Sequence, residues 1–275
     1  MEKEHKAVAM EKKGLSVPRY YTNPTLSPFE MFAYDKRVSQ IKNPDGSLVF
    51  RMEEVEVPMF WSQVATDILA QKYFRKAGVP LRNEQGDLLL DENGKVITGS
   101  ETSIKQVAHR IAGCWRHWGE MYGYFSSSQD AQHFYDEMTY MIIGQYAAPN
   151  SPQWFTTGLN FAYGLTGPAQ GHSYVDPISK KLEQSKDAYM RSQPHACFIQ
   201  SVSDDLVRDG GIFSLLTREA RIFKYGSGTG SNFSRLRAKG ERLAGGGTSS
   251  GLMSFLKIFD TAAGSIKSGG TTRRA

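Results

Sequence analysis

Gln193-Pro-His-Ala-Cys-Phe-Ile199 opens an apolar, strand-like run with one of only two cysteines in the chain, and what surrounds that run decides the fold. The run reaches Val202, an acidic pair follows at Asp204 and Asp205, and Ile212–Lys224 then reads as an amphipathic helix. A glycine-rich segment comes next. Beyond it, Ser250–Ile266 carries Leu252, Phe255, Leu256, Phe259 and Ala263 on one helical face. Alternation of strand and helix is the grammar of an α/β region.

Upstream the grammar changes. Pro149-Asn-Ser-Pro152 breaks a helical region, because two prolines cannot both continue a helix. Before it two long helices are predicted, Thr102 to Phe125 and Gln129 to Ala147. Their Trp115, Trp118, Tyr122, Phe134, Tyr135, Met138 and Met141 read as helix–helix core rather than a cofactor box. Pro58 to Lys76 reads as a further helix, ended by Gly78 and Pro80. Residues 82–98 read as a hairpin turning at Asn93-Gly94. The predicted organisation is a flexible arm over 1–27, a mainly helical domain over 28–148, and an α/β region over 149–275.

With 275 residues, 40% of them apolar, the chain can bury a sizeable core. It has no apolar run near the ~18–20 residues of a membrane span, and Met1–Gly14 lacks the apolar segment of a secretory signal. Two cysteines do not make a disulfide framework, so a cytoplasmic location is expected. The net charge of +5 is uneven: Arg218–Ala275 holds eleven Lys/Arg against three Asp/Glu. That excess reads either as a solvated basic face or as a surface for phosphates. Aromatic residues do not interleave with the basic ones there, so direct nucleic-acid binding is not expected.

Cys197 admits three readings: a small buried hydrophobe, a nucleophile served by His195, or a redox thiol whose partner lies elsewhere. Cys114, mid-helix among tryptophans, reads as core, and no Cys/His spacing supports a metal site. Gly226-Ser-Gly-Thr-Gly-Ser-Asn232 closes a helix instead of opening one, unlike a dinucleotide fingerprint. It reads either as a helix cap with a flexible turn or as backbone lining an anion. Gly245-Gly-Gly-Thr-Ser-Ser250 precedes the last helix, with Ser249 or Ser250 as the expected cap. A second basic loop starts at Lys267, and both loops are expected to be mobile.

Four segments in order resemble the class II ribonucleotide reductases: Pro149-Asn-Ser-Pro-Gln-Trp-Phe155, Gln193-Pro-His-Ala-Cys197, Tyr225-Gly-Ser-Gly-Thr-Gly-Ser-Asn-Phe-Ser-Arg-Leu-Arg237 and Ser268-Gly-Gly-Thr-Thr-Arg-Arg-Ala275. The resemblance runs from about Pro58 to Ala275, with Thr156 departing where the family pattern has Asn. It implies a fold in which a helical region precedes a ten-stranded α/β barrel, here incomplete. It implies a reducing role for Cys197 on the first barrel strand, paired with a second thiol, and substrate contacts at Ser151, Ala196, Cys197 and Gly228. Asp204, Asp205, Leu206 and Arg237 match the site where a deoxynucleotide or ATP effector sets specificity. The implied cofactor is adenosylcobalamin, and the implied substrate is a ribonucleoside diphosphate or triphosphate. A thioredoxin-like dithiol reductant, a second copy of the chain and the C-terminal half of the reductase are the implied partners. The asparagine–x–cysteine–x–glutamate loop of the radical thiol is absent, so the chain is expected to be inactive alone. The alternative is a non-catalytic module that binds a deoxynucleotide effector.

Overall fold

A computed structural model describes residues 14–83, 85–169 and 171–267. Residues 34–58 form a long antiparallel hairpin, β1 (Tyr34–Lys42) and β2 (Leu48–Pro58), with register breaks after Arg37 and Ile41. The 28–148 region is therefore helical chiefly in its second half. The expected Pro58–Lys76 helix is shorter: Pro58 ends β2, Ser62 caps α1 (Gln63–Ile68), and a π-helical turn occupies Leu69–Tyr73. The hairpin around Asn93-Gly94 is present, with Gly94 at φ +78° and a bridge from Leu90 to Val96. It is flanked by β3 (Val79–Pro80) paired with β4 (Thr98–Gly99).

Helix α2 (Ile104–Met121) begins with a full capping box. Ser103 accepts from the backbone of the first turn, and Gln106 reaches back to the Ser103 N–H. It packs against α3 (Ser128–Ile143), capped by Ser127. The face that closes the core is aliphatic, comprising Ile104, Val107, Ala108 and Ile111 against Val55, Val57, Ile142 and Ile143. The aromatic stripe lies beside it, half-buried, with Trp115 packed on the cluster.

The arm is not free where it is described. Leu15 bridges Phe125, and the Glu137 carboxylate accepts from the backbone N–H groups of Tyr20, Tyr21 and Thr22 at 2.9–3.1 Å and from the Thr22 hydroxyl. Residues 1–13 lie outside the described residues.

Asn150 does not merely break the chain: it caps α4 (Ser151–Thr156), where Pro152 sits in the first turn and needs no N–H partner. Gly158, at φ +81°, then turns the chain into α5 (Leu159–Tyr163). An added Cβ there would lie 1.9 Å from the Arg110 carbonyl oxygen, so only glycine fits. A small hairpin, β5 (Ser173–Val175) with β6 (Leu182–Gln184), precedes the α/β unit.

That unit is β7 (Cys197–Ser201), α6 (Ile212–Lys224) and β8 (Gly228–Asn232), followed by α7 (Leu252–Ser265). β7 and β8 pair in parallel through the α6 crossover. Gly228–Asn232 of the glycine run is thus a strand and not a flexible turn. Only Gly226, at φ +88°, serves as the helix stop. Ile212, Leu215, Glu219 and Phe223 form the buried stripe of α6. Leu215 and Ile212 pack with Val202 and Phe259. The cap of α7 is Gly251, just beyond the expected Ser249 or Ser250, and Ser249 accepts from the Gly251 N–H at 3.0 Å. All four sheets are two-stranded among the described residues, so no closed barrel is formed there.

Candidate active site and effector pocket

Parallel pairing places Cys197 opposite Gly228, and the Gly228 N–H donates to the Ala196 carbonyl at 2.6 Å. Three of the four expected substrate residues therefore meet at the start of β7 and β8. The Ser227 hydroxyl donates to the His195 carbonyl just before this point. Beneath β8, Glu219 of α6 accepts from Thr229 at 3.0 Å and Ser231 at 2.5 Å, so one face of the strand pair is tied to the helix. The opposite face carries Cys197, Ile199 and Ser201 and is open, with Ile199 85% exposed. An exposed thiol beside a glycine leaves room for a ligand to approach both strands.

The exposure of Cys197 removes its reading as a buried hydrophobe. The His195 imidazole pairs with the Gln193 side chain at 2.9 Å, and no hydrogen bond joins it to Cys197 among the described residues. A general base for a hydrolytic cysteine is thus missing from the geometry. Cys114 is buried in α2, where burial pushes its thiol up to about 12, so it remains protonated near neutrality.

Ser151 is positioned from a different element: the Tyr73 hydroxyl in the π-helical turn lies 3.1 Å from its Oγ. Behind α4, the Arg110 guanidinium donates to the Trp154 and Thr157 carbonyls and pairs with Glu101 at 2.7 Å, both side chains being fully buried. Glu101 also accepts from the Arg75 N–H and the Tyr163 hydroxyl. This network fixes where α4 begins and ends. A second tether holds the end of α6. His172 Nε2 donates to the Arg191 carbonyl, so Nδ1 accepts from the Tyr225 hydroxyl at 2.9 Å. Burial pushes Tyr225 up to about 12, which keeps it a donor. Sequence reasoning missed Tyr73, Glu101, Arg110, His172 and Tyr225, and their separations in the chain carry no local signal.

All four expected effector residues line one pocket of ≈ 290 Å³: Asp204, Asp205 and Leu206 from the β7–α6 loop, and Arg237 after β8. Arg237 Nε donates to Asp204 at 2.5 Å and its Nη1 to the Arg242 carbonyl at 3.1 Å. Asp205 is turned to its own loop. The Arg208 and Val207 N–H groups both donate to it and hold its carboxyl below the usual range, against a smaller opposing effect of burial. Thr248, Ser249 and Ser250 complete the wall. The loop expected to be mobile is here a small hairpin, with Leu243 donating to Gly247 and Ser249 to Glu241. Of the second basic loop, only Lys267 is described, and 268–275 lie outside the described residues.

Residues 35–145 match the family described as class II vitamin B12-dependent ribonucleotide reductase, and 195–275 match the ribonucleotide reductase barrel domain. The chain belongs to the class II ribonucleotide reductases. It is 57% identical over 279 residues to the vitamin B12-dependent ribonucleotide reductase of Bradyrhizobium diazoefficiens and 58% identical over 277 to that of Agrobacterium fabrum. Each alignment covers 95% of this chain and 22% of the relative, so the chain spans about a fifth of those reductases and corresponds to their N-terminal portion. A shorter likeness, 44% over 80 residues (29% of this chain and 11% of the relative), links it to the vitamin B12-dependent ribonucleoside-diphosphate reductase of Mycobacterium tuberculosis.

Membership in a family named for vitamin B12 implies a cobalamin. The described residues do not fit one. Their hollows of ≈ 530 and ≈ 390 Å³ are smaller than a corrin with its nucleotide tail. No described helix is long and apolar enough to cross a membrane.

Proposed function

We propose that this chain supplies the effector pocket and the first βαβ unit of the catalytic barrel to an adenosylcobalamin-dependent ribonucleoside-diphosphate reductase. The observation that carries the reading is the exposed Cys197 thiol, registered against Gly228 on the sheet face that α6 leaves open. In this reading the ribose of a bound diphosphate lies over Ala196, Cys197 and Gly228. The C2′ hydroxyl leaves as water and C2′ gains hydrogen. Cys197 and a second barrel thiol supply two electrons and two protons and become a disulfide. A thioredoxin-like dithiol then reduces that disulfide by exchange. No step is assigned to the cobalamin, whose site the described residues do not make.

The Asp204–Arg237 pair gives the pocket its selectivity. Arg237 can exchange its carboxylate partner for a phosphate, and the released Asp204 can accept from a sugar hydroxyl. Both changes conserve charge-assisted hydrogen bonds, so exchange costs little. The pocket wall from Thr248 to Ser250 leads directly into α7, which gives effector binding a route to the basic loop beyond. A pair of chains around this pocket is part of the proposal.

Calorimetric titration of the chain with dATP and dTTP tests the pocket. Arg237→Ala is expected to weaken binding by about tenfold or more, with Cys197→Ser leaving it unchanged. Undiminished binding by Arg237→Ala would refute the assignment. Binding that persists without any reductase activity when the rest of a relative's enzyme is supplied would favour the non-catalytic nucleotide-binding module.

A further inference from the structure

A cleft of ≈ 530 Å³, lined by the same Tyr73 whose hydroxyl meets Ser151, runs between the π-helical turn, α4 and the end of α6, and it adjoins a smaller hollow of ≈ 130 Å³. The two share Arg75, Phe155, Tyr189 and Lys224. Four cations line the larger cleft, Lys72, Arg75, Lys76 and Lys224, with no Asp or Glu among its lining residues. None of the four forms an ion pair among the described residues, whereas Arg19, Arg37, Arg110 and Arg237 all do. The carboxylate that acts on Lys76, Glu101, is already paired with Arg110. Like charges gathered in one cleft oppose folding unless an anion joins them, and the low-dielectric walls focus their field on whatever enters.

Two of the cations are held in place, and Lys72 and Lys224 are exposed. Arg75 donates to the Ala77 carbonyl at 2.8 Å and to the Tyr189 hydroxyl at 3.2 Å, and it lies over the Tyr189 ring. Lys76 donates to the Ala70 carbonyl and lies 4.8 Å from the Phe50 ring centroid. Three rings, Tyr73, Phe155 and Tyr189, form flat walls between the charges, with Tyr73 and Phe155 at 5.3 Å. The π-helical turn that presents Lys72 and Tyr73 departs from regular helix geometry, a departure concentrated at functional sites.

We infer that this cleft binds a polyphosphate group, with the rings placed to take the base of a nucleotide that carries it. None of Ser151, Ala196, Cys197, Gly228, Asp204, Asp205, Leu206 or Arg237 lines it, so the inference goes beyond the proposed substrate and effector sites.

The test uses the full chain carrying Arg237→Ala, so that the effector pocket does not contribute. Inorganic tripolyphosphate and ATP are titrated separately by calorimetry at low ionic strength. Both are expected to bind, and Lys72→Glu with Lys224→Glu is expected to weaken both by about tenfold or more. Tighter binding of ATP than of tripolyphosphate identifies a nucleotide. Equal binding identifies the phosphate chain as the recognised group. Absence of binding by either probe, or affinity unchanged in the double variant, overturns the inference. Circular dichroism melting verifies folding, and Lys72→Gln with Lys224→Gln replaces the double variant if charge reversal prevents it.

Discussion

Around the long hairpin and α2–α3, Val55, Val57, Ile104, Val107 and Ile111 form one buried cluster, and the Glu101–Arg110 pair is fully buried as well. Around β7–α6–β8, the hydrophobic cluster among the described residues is Val202, Ile212, Leu215 and Phe259, and the open strand face leaves Ile199 almost bare. The first region satisfies its buried charges internally: Glu101 takes three partners, and Arg110 is spread over Glu101 and three carbonyls. The second presents its candidate functional groups outward, with Cys197 on the open face and Asp204–Arg237 on a pocket wall. One region is scaffold and the other is the proposed working surface. The scaffold reaches the chemistry through α4, whose first residue, Ser151, is held by Tyr73.

The contrast breaks most directly at Arg110. Arg110→Ala leaves Glu101 charged and buried without its partner, and a loss of about 3–5 kcal/mol is expected in urea denaturation of the chain. A loss below about 1 kcal/mol would mean that the network does not hold the region together.

Glu137→Gln should cost less, about 1–2 kcal/mol, by weakening the docking of residues 20–22. Burial raises the Glu137 carboxyl, but its hydrogen bonds from Thr22, Tyr21 and Tyr20 outweigh that and hold it below the usual glutamate range. A depressed folded value means the contribution is present above the unfolded value of about 4.3 and is lost as pH falls through the lower folded value. Stability measured from neutrality down through that window should fall less in Glu137→Gln than in the unmodified chain. Parallel curves would contradict the assignment.

At the other extreme, Ile199→Thr on the open sheet face should change stability by no more than about 0.5 kcal/mol. A larger loss would show that this face is covered in solution, which a sedimentation measurement would then resolve as association.

How much of this was legible in the sequence follows the same divide. Helix α6 falls on its predicted limits because Ile212, Leu215, Glu219 and Phe223 keep one face without interruption. Strand β7 lies within one residue of its expected ends. The β1–β2 hairpin was missed because the breaks after Arg37 and Ile41 spoil the two-residue alternation that would have revealed it. The arm reads as free because the carboxylate that docks Tyr20–Thr22 lies more than a hundred residues away at Glu137. At the candidate site, no local pattern joins Ala196 and Cys197 to Gly228, since parallel pairing operates across an intervening helix. Resemblance supplied that grouping. It also supplied the four effector residues, which the fold then gathers into one pocket. What resemblance did not supply was the support: Tyr73 under Ser151, Glu101–Arg110 behind α4, and His172–Tyr225 at the end of α6.

The central claim is that Cys197 delivers reducing equivalents from the open sheet face. It is tested most directly in a chimera in which this chain replaces the matching segment of the Agrobacterium fabrum reductase, to which it is 58% identical. Supplied with adenosylcobalamin, a ribonucleoside diphosphate and a dithiol, the chimera is expected to form deoxyribonucleotide over many turnovers. Its Cys197→Ser form should lose that turnover while still binding dATP and dTTP. Undiminished turnover by Cys197→Ser would contradict the account.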